Sequence, residues 1–159
     1  MATIKQKSLK PATNSPEAQG ILVYNGSGAA IPKDALVYVI GVNGANLQVA
    51  LADSDASNWA AKSSIFVTKH RIPDTKRGVV LPWKIIDFDT TQGSAAAGTF
   101  IYLHEDPTDT SVTSPAGGYK LTAGTTNSRV VGIFLNALTV ANGGKALIDP
   151  AGMLGISTI

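Results

Sequence analysis

The sequence predicts an all-β protein, and three observations support this. Charged residues make up 15% of the 159 residues, against roughly 25% in an average soluble domain. Straight-chain helix formers are scarce, since the chain has only two glutamates and two methionines, whereas serine and threonine together number 27. The 16 glycines and 8 prolines divide the chain into short apolar runs. This composition favours strands and turns over a helical bundle or a doubly wound α/β enzyme.

Residues 1–19 are expected to form an extended N-terminal arm, and residues 20–159 a β-rich body. The arm carries Lys5, Lys7 and Lys10 among prolines and small polar residues, without a sustained apolar period. Such a segment buries too little apolar area to fold alone, so a partner surface has to order it. No apolar segment follows the lysines, so the pattern is not that of a signal peptide.

Ten apolar runs in the body predict ten short strands. In one of them, Leu47, Val49 and Leu51 share a face with period two. Asn-Gly pairs and glycine-rich stretches between the runs are tight-turn signals. A short helix is expected at residues 54–62. The predicted strands cover residues 20–24, 35–41, 46–52, 63–68, 77–81, 84–88, 99–103, 119–122, 129–138 and 145–148.

An internal duplication predicts that the body consists of two similar β-units. At a shift of 68 residues, Ile65-Phe66-Val67 aligns with Ile133-Phe134-Leu135. At a shift of 64 residues, Leu36-Val37-Tyr38 aligns with Phe100-Ile101-Tyr102. One unit of about 65 residues would bury its apolar faces poorly alone, whereas two units can share a core. Convergent strand patterning is the alternative explanation.

The sequence lacks the motifs of common enzymes and cofactor sites. Because there is no cysteine, disulfides, thiolate zinc sites and cysteine nucleophiles are excluded. A nucleophile elbow, a phosphate-binding loop and a zinc-binding helix motif are all missing. We therefore expect a protein that is not an enzyme and has no catalytic residue, cofactor or metal.

The polar candidates are interpreted as surface features. His70 and His104 each follow a strand end, without the further ligands that a metal needs. Two carboxylate pairs at i, i+2 spacing could bind calcium or flank a glycosidic bond. We interpret them instead as aspartates that initiate turns. These pairs are Asp53 with Asp55 and Asp87 with Asp89.

Six aromatic residues are the candidate core or interface anchors, because large rings contribute strongly to both. They are Tyr38, Trp59, Phe66, Trp83, Tyr102 and Phe134.

The net charge of +2 is smaller than the charge that the three arm lysines supply, so the body is close to neutral. This balance argues against nucleic-acid binding. The longest apolar runs are also too short to span a bilayer. A low-charge surface rich in small residues indicates a protein that works within an assembly.

Five segments of the body, in this order, carry a family resemblance. They are NGSGAAIPKDALVYVI (residues 25–40), IFVTKHRIPDTKRGVVLPW (65–83), AAGTFIYL (96–103), GGYKLTA (117–123) and VVGIFL (130–135). The series resembles the capsid decoration proteins of tailed bacteriophages, also called cement or head-stabilising proteins. Other phage virion proteins, including some head fibres, share the pattern.

The resemblance implies a compact β-barrel or β-sandwich (β-tulip-like) body that forms a homotrimer on the outside of an icosahedral head. The trimer would bind the major capsid protein and stabilise the shell against the pressure of packed DNA. Lys5, Lys7 and Lys10 then become candidate capsid-contacting residues. The protein would be made in the host cytoplasm and reside at the capsid exterior of the virion, without direct contact with nucleic acid or membrane.

Two other functions remain open from the sequence. One is a different virion component, such as the base of a head fibre or a tail protein. The other is a β-sandwich carbohydrate-binding module, in which Trp59 or Trp83 would stack on a sugar.

Overall fold

The computed structural model describes residues 20–52, 64–88, 94–103, 119–121, 129–150 and 152. These residues form ten β-strands and no helix, which confirms the all-β prediction. The strands are β1 (Ile21–Asn25), β2 (Leu36–Asn43), β3 (Asn46–Leu51), β4 (Ile65–Thr68), β5 (Arg77–Leu81), β6 (Lys84–Phe88), β7 (Phe100–Leu103), β8 (Tyr119–Lys120), β9 (Val130–Phe134) and β10 (Gly144–Ile148). Each coincides with a predicted run and differs only at its ends. The arm and the helix expected at residues 54–62 lie outside the described residues.

The first five strands close a small barrel in the order β1-β3-β2-β4-β5. Closure depends on β1, which pairs antiparallel with β5 and parallel with β3. Because alternate side chains of a strand point to opposite faces, every second residue can fill the interior. The buried residues of this barrel core are Val23, Ile31, Ala35, Val37, Val49, Ile72 and Val80.

The second five strands repeat this arrangement as an open sheet. Their order is β6-β10-β9-β7-β8, and the corresponding barrel strands follow one another as β1, β5, β4, β2 and β3. Among the described residues, β6 and β8 are the two ends of the sheet and do not pair with each other. The chain therefore contains two similar β-units, one closed and one open.

The register of the duplication differs from the sequence alignment. Thr68 pairs with Val80 in the first unit, and Phe134 pairs with Ala146 in the second. The equivalent positions in this half of each unit are therefore 66 residues apart, and the shift of 68 is wrong. The offset of 68 aligns more apolar residues of β4 and β9, but the strand pairing requires 66, at which Phe66 corresponds to Gly132. The shift of 64 is correct for the earlier strands of each unit. The Ala35 carbonyl accepts a bond from the Thr68 N–H, and the Thr99 carbonyl accepts the equivalent bond from the Phe134 N–H.

Strands β2 and β4 are apolar on both faces because they lie between two cores. Val37 belongs to the barrel core, whereas its neighbour Leu36 belongs to a second core. Ile65 and Val67 also reach this second core, which the inner face of the open sheet lines. The buried residues that the open sheet and its connections contribute are Ile86, Phe88, Ile101, Leu103, Tyr119, Val131, Phe134, Leu138, Ala146 and Ile148. The two units therefore share one continuous apolar layer.

Candidate interaction surfaces

A polar contact fixes the two units to each other beside the shared core. Asp34 lies in the turn before β2 with a φ of 60°, and Lys84 begins β6. The Lys84 ammonium donates to the Asp34 carboxylate. The hydroxyl of Tyr119, on β8, donates to the Asp34 carbonyl oxygen. One turn of the barrel is thus held by both ends of the open sheet.

The buried hydroxyl of Tyr119 is held in its neutral form. Burial raises the pKa of Tyr119 well above its usual value, and the Asp34 carboxylate raises it further. The ring also contacts Phe88 edge-on, with the two centroids 5.5 Å apart. Tyr119 therefore acts as a structural hydrogen-bond donor.

The segment from the end of β4 to the first residue of β5 presents four cations to solvent. This segment, residues 69–77, is called the basic loop below. Its cations Lys69, Arg71, Lys76 and Arg77 are all exposed. Its single carboxylate, Asp74, is half-buried and accepts a bond from the Gly28 backbone N–H at 3.2 Å. The loop therefore carries four cations and one carboxylate, whereas the rest of residues 20–159 carries six cations and nine carboxylates.

Hydrogen bonds and a backbone bridge hold the basic loop in place. Asn25 is fully buried and donates to the carbonyl oxygens of Ala29 at 2.7 Å and Ile72 at 3.0 Å. Ile72 also forms a backbone bridge with Ile31. The His70 ring accepts the Val79 N–H at Nε2 (3.2 Å), and its Nδ1 donates to the Arg71 carbonyl at 3.0 Å. His70 thus has a structural role in the loop.

The equivalent loop of the second unit shares a backbone bridge and a bond to the following strand with the basic loop, but it carries no charge. This segment, residues 135–143, is called the neutral loop below. Leu135 N–H bonds to the Lys145 carbonyl, as Lys69 N–H bonds to Val79 in the first unit. The Asn136 side chain accepts the Lys145 N–H at 2.7 Å, which is the role His70 has in the basic loop. Leu135 and Val140 are 49% and 68% exposed here.

An apolar row crosses the outer face of the open sheet. Cross-strand pairing places Ile85, Leu147, Ile133 and Phe100 side by side on β6, β10, β9 and β7. Because Ala146 and Ile148 on β10 reach the shared core, Leu147 between them points to the opposite face. Ile85 is 49% exposed, and the other three members are half-buried. We call these four residues the apolar row; the neutral loop adds Leu135 near it.

Five of the six aromatic candidates are among the described residues, and they lie in different environments. Phe134 is buried in the shared core, and Tyr38 packs against that core from the barrel. Phe66 packs against the barrel core. Trp83 and Tyr102 are half-buried. Trp59 lies outside the described residues, as do Lys5, Lys7 and Lys10, His104, Asp53, Asp55 and Asp89.

Sequence reasoning missed the apolar row and the contrast between the two loops. Apolar runs predict strands, but they do not show which face of a strand a second layer covers. A signal for the loops was present, since residues 69–77 hold four cations and residues 135–143 none. It becomes visible only at the offset of 66 that strand pairing establishes.

No family model matches the chain, and no curated protein matches it. Across the described ranges, no group of three or more histidine, aspartate or glutamate side chains is arranged to hold a metal ion. The part of the chain that the structure describes also has no helix of the length and apolarity needed to cross a membrane.

Proposed function

We propose that the protein is a capsid decoration protein, which binds the outside of an icosahedral phage head as a homotrimer and stabilises it against internal DNA pressure. The observation that carries the proposal is the apolar row on the outer sheet face. Isolated monomers rarely expose a contiguous apolar face, and such faces mark sites of protein association. The resemblance to phage decoration proteins supports the same function.

A second copy of the chain is the proposed partner of the apolar row. Around a threefold axis, one face of each copy meets a different face of the next, so that three identical contacts close a ring. The all-β body offers the rigid surfaces that such a ring needs, because the two units share one core and a buried ion pair. The trimer would then bridge neighbouring copies of the major capsid protein.

Stabilisation of the head follows from preferential binding. A ligand that binds the mature lattice and not the ruptured or immature one shifts the equilibrium towards the mature lattice by mass action. Three arms per trimer add avidity, because each detached arm stays tethered near its site. Lys5, Lys7 and Lys10 are proposed to contact the capsid, and the protein catalyses no reaction in this role.

The first experiment measures mass and shell binding. Sedimentation equilibrium is expected to give a trimer, and co-sedimentation to show binding to mature heads but not to procapsids. Deleting residues 2–18 should weaken binding to heads while leaving the circular dichroism spectrum unchanged. A trimer that binds glycans and ignores heads would instead support the carbohydrate-binding module.

A second experiment tests the apolar row as the trimer contact. Ile85→Thr with Leu147→Thr should convert the trimer to monomer at the same protein concentration. Val42→Thr is the matched control, because Val42 is 68% exposed on the barrel, away from the row. A trimer that survives the double change as well as the control would contradict the assignment of this face.

A further inference from the structure

We propose that Asn43 is a site of spontaneous deamidation, at which the neighbouring backbone nitrogen and water convert the side-chain amide to a carboxylate. The inference goes beyond the proposed function and does not depend on it. The chain contains three Asn-Gly pairs, which begin at Asn25, Asn43 and Asn142. Glycine favours the reaction, because it has no side chain to hinder its backbone nitrogen and is conformationally permissive. The surroundings of the three pairs differ, and they single out Asn43.

The reaction proceeds in two steps through a cyclic imide. In the first step, the Gly44 backbone nitrogen forms a bond to Asn43 Cγ, the bond from Cγ to Nδ2 breaks, and the backbone amide proton leaves with Nδ2 as ammonia. In the second step, water adds to one of the two ring carbonyls and opens the ring. The product is aspartate or its β-linked isomer isoaspartate, which lengthens the backbone by one carbon. One asparagine and one water thus give one acidic residue and one ammonia.

Asn43 lies at the tip of the hairpin between β2 and β3, where the chain is open to water. Asn43 pairs with Asn46 at the end of the ladder, and Gly44 follows in the turn with a φ of 59°. Asn43 and Gly44 are both exposed, and a Cβ added to Gly44 would meet no atom beyond its chain neighbours within 4 Å. Both reacting groups are therefore accessible, and water can reach the imide.

The position of the tip in the sheet makes it easy to open. Ring closure brings Asn43 Cγ onto the Gly44 nitrogen, so the end of the hairpin has to leave its extended conformation. β4 pairs with β2 at residues 36–38, and β1 pairs with β3 at residues 47–49. In this described pairing, residues 42–46 extend beyond both neighbouring strands. Opening them disrupts pairs between β2 and β3 while the pairing to β1 and β4 stays in place, which is a local, low-energy opening.

Asn25 is held at both reacting groups. Its side chain is fully buried, and its Nδ2 donates to two backbone carbonyl oxygens. Its Oδ1 accepts bonds from the Ser27 N–H and hydroxyl at 3.0 and 2.7 Å. The attacking nitrogen would be that of Gly26, whose N–H donates to the Val49 carbonyl at 3.2 Å. Deamidation of Asn25 therefore requires the barrel itself to open.

Asn142 has an exposed side chain but a restrained nucleophile. Gly143 is buried, and its N–H donates to the Thr139 carbonyl at 2.9 Å. The Gly143 carbonyl accepts a bond from the Thr139 N–H at 3.2 Å. Because the attacking nitrogen is held away from the side chain, Asn142 should react more slowly than Asn43.

The test maps conversion at the three sites in one sample of the folded protein. The protein is incubated in mildly alkaline buffer at physiological temperature, and its proteolytic peptides are analysed by mass spectrometry at intervals. The Asn43→Asp and Asn142→Asp variants provide standards for the product peptides. A parallel sample is incubated in urea at a concentration that unfolds the chain.

In the folded protein, we expect Asn43 to convert at least about tenfold faster than Asn25 and at least about threefold faster than Asn142. In urea, the three rates should agree within about threefold, because the shared Asn-Gly sequence then dominates. A rate at Asn43 no higher than at either other site in the folded protein would overturn the inference. So would a difference that persists undiminished in urea, since the fold would then not be its cause.

Hydrogen exchange measures the opening of the tip independently. The backbone amides of residues 42–46 should exchange faster than those of residues 23–25 on β1, which lie within the barrel. Equal protection of the two segments would overturn the inference, because ring closure at Asn43 depends on this local opening.

Discussion

Lys84 and Asp34 form an ion pair that joins the two β-units, although 50 residues separate them in the sequence. Lys84 begins the first strand of the open sheet, and Asp34 lies in a tight turn of the barrel. Their side chains are 9% and 15% exposed. Each charge is therefore largely withdrawn from water and depends on the other for compensation.

Removing one partner of this pair should destabilise the protein more than removing both. Asp34→Asn keeps a residue that tolerates a positive φ but leaves the Lys84 ammonium unpaired, so we expect a loss of about 3 kcal/mol. Adding Lys84→Met should recover most of that loss, because no buried charge remains. Urea unfolding at neutral pH measures both effects.

The exposed pair between Lys145 and Asp87, at 2.6 Å, supplies the control. Lys145→Met should cost less than about 1 kcal/mol, because water already screens this pair. If Asp34→Asn costs no more than Lys145→Met, the ion pair does not hold the units together.

Tyr119 should make the protein less stable in alkaline solution. The pKa of Tyr119 is raised in the folded state, so the unfolded chain releases this proton near pH 10 while the folded chain keeps it. The free energy of unfolding must then fall as the pH rises above about 10. Tyr119→Phe removes this contribution, although it costs about 1 kcal/mol at neutral pH by leaving the Asp34 carbonyl unpaired.

The measurement compares urea unfolding of both proteins at about pH 8 and about pH 11. We expect the unmodified protein to lose more stability than Tyr119→Phe over this interval. Identical losses would mean that the Tyr119 hydroxyl ionises equally well in the folded and unfolded chains.

His70 should be replaceable by asparagine but not by alanine. The ring accepts the Val79 N–H, and Asn136 accepts the equivalent N–H in the second unit. His70→Asn should therefore change the free energy of unfolding by less than about 0.5 kcal/mol, whereas His70→Ala should cost about 1 kcal/mol. The reciprocal pair, Asn136→His and Asn136→Ala, should show the same order. Equal costs for the two His70 variants would remove the structural role assigned to the ring.

Gly132 on β9 should not tolerate a side chain. A Cβ there would lie 2.6 Å from the Leu147 carbonyl oxygen and 2.7 Å from Ile148 Cδ1. Because the first of these is a backbone atom, the sheet itself has to move, and Gly132→Ala should cost at least about 2 kcal/mol. Gly41→Ala is the control, since a Cβ there meets only Gln48 Oε1 at 3.7 Å. Thermal unfolding of both variants checks the difference, and equal melting temperatures would contradict it.

The sequence by itself determined the strands, the turns between them and the presence of two similar units. These are local properties: apolar runs of four to ten residues between glycine, proline and asparagine turns leave few alternatives. The same signal identified Phe134 as a candidate anchor, and this residue is buried in the shared core.

Tertiary structure alone decided the closure of one unit, the opening of the other and the faces that each strand buries. Leu36 and Val37 are adjacent apolar residues, yet they enter different cores because a second sheet covers the outside of β2. The equivalence of the two loops depends on the pairing of Thr68 with Val80 and of Phe134 with Ala146. Such pairings join residues far apart in the chain, so local composition cannot specify them, and only the packed sheets do.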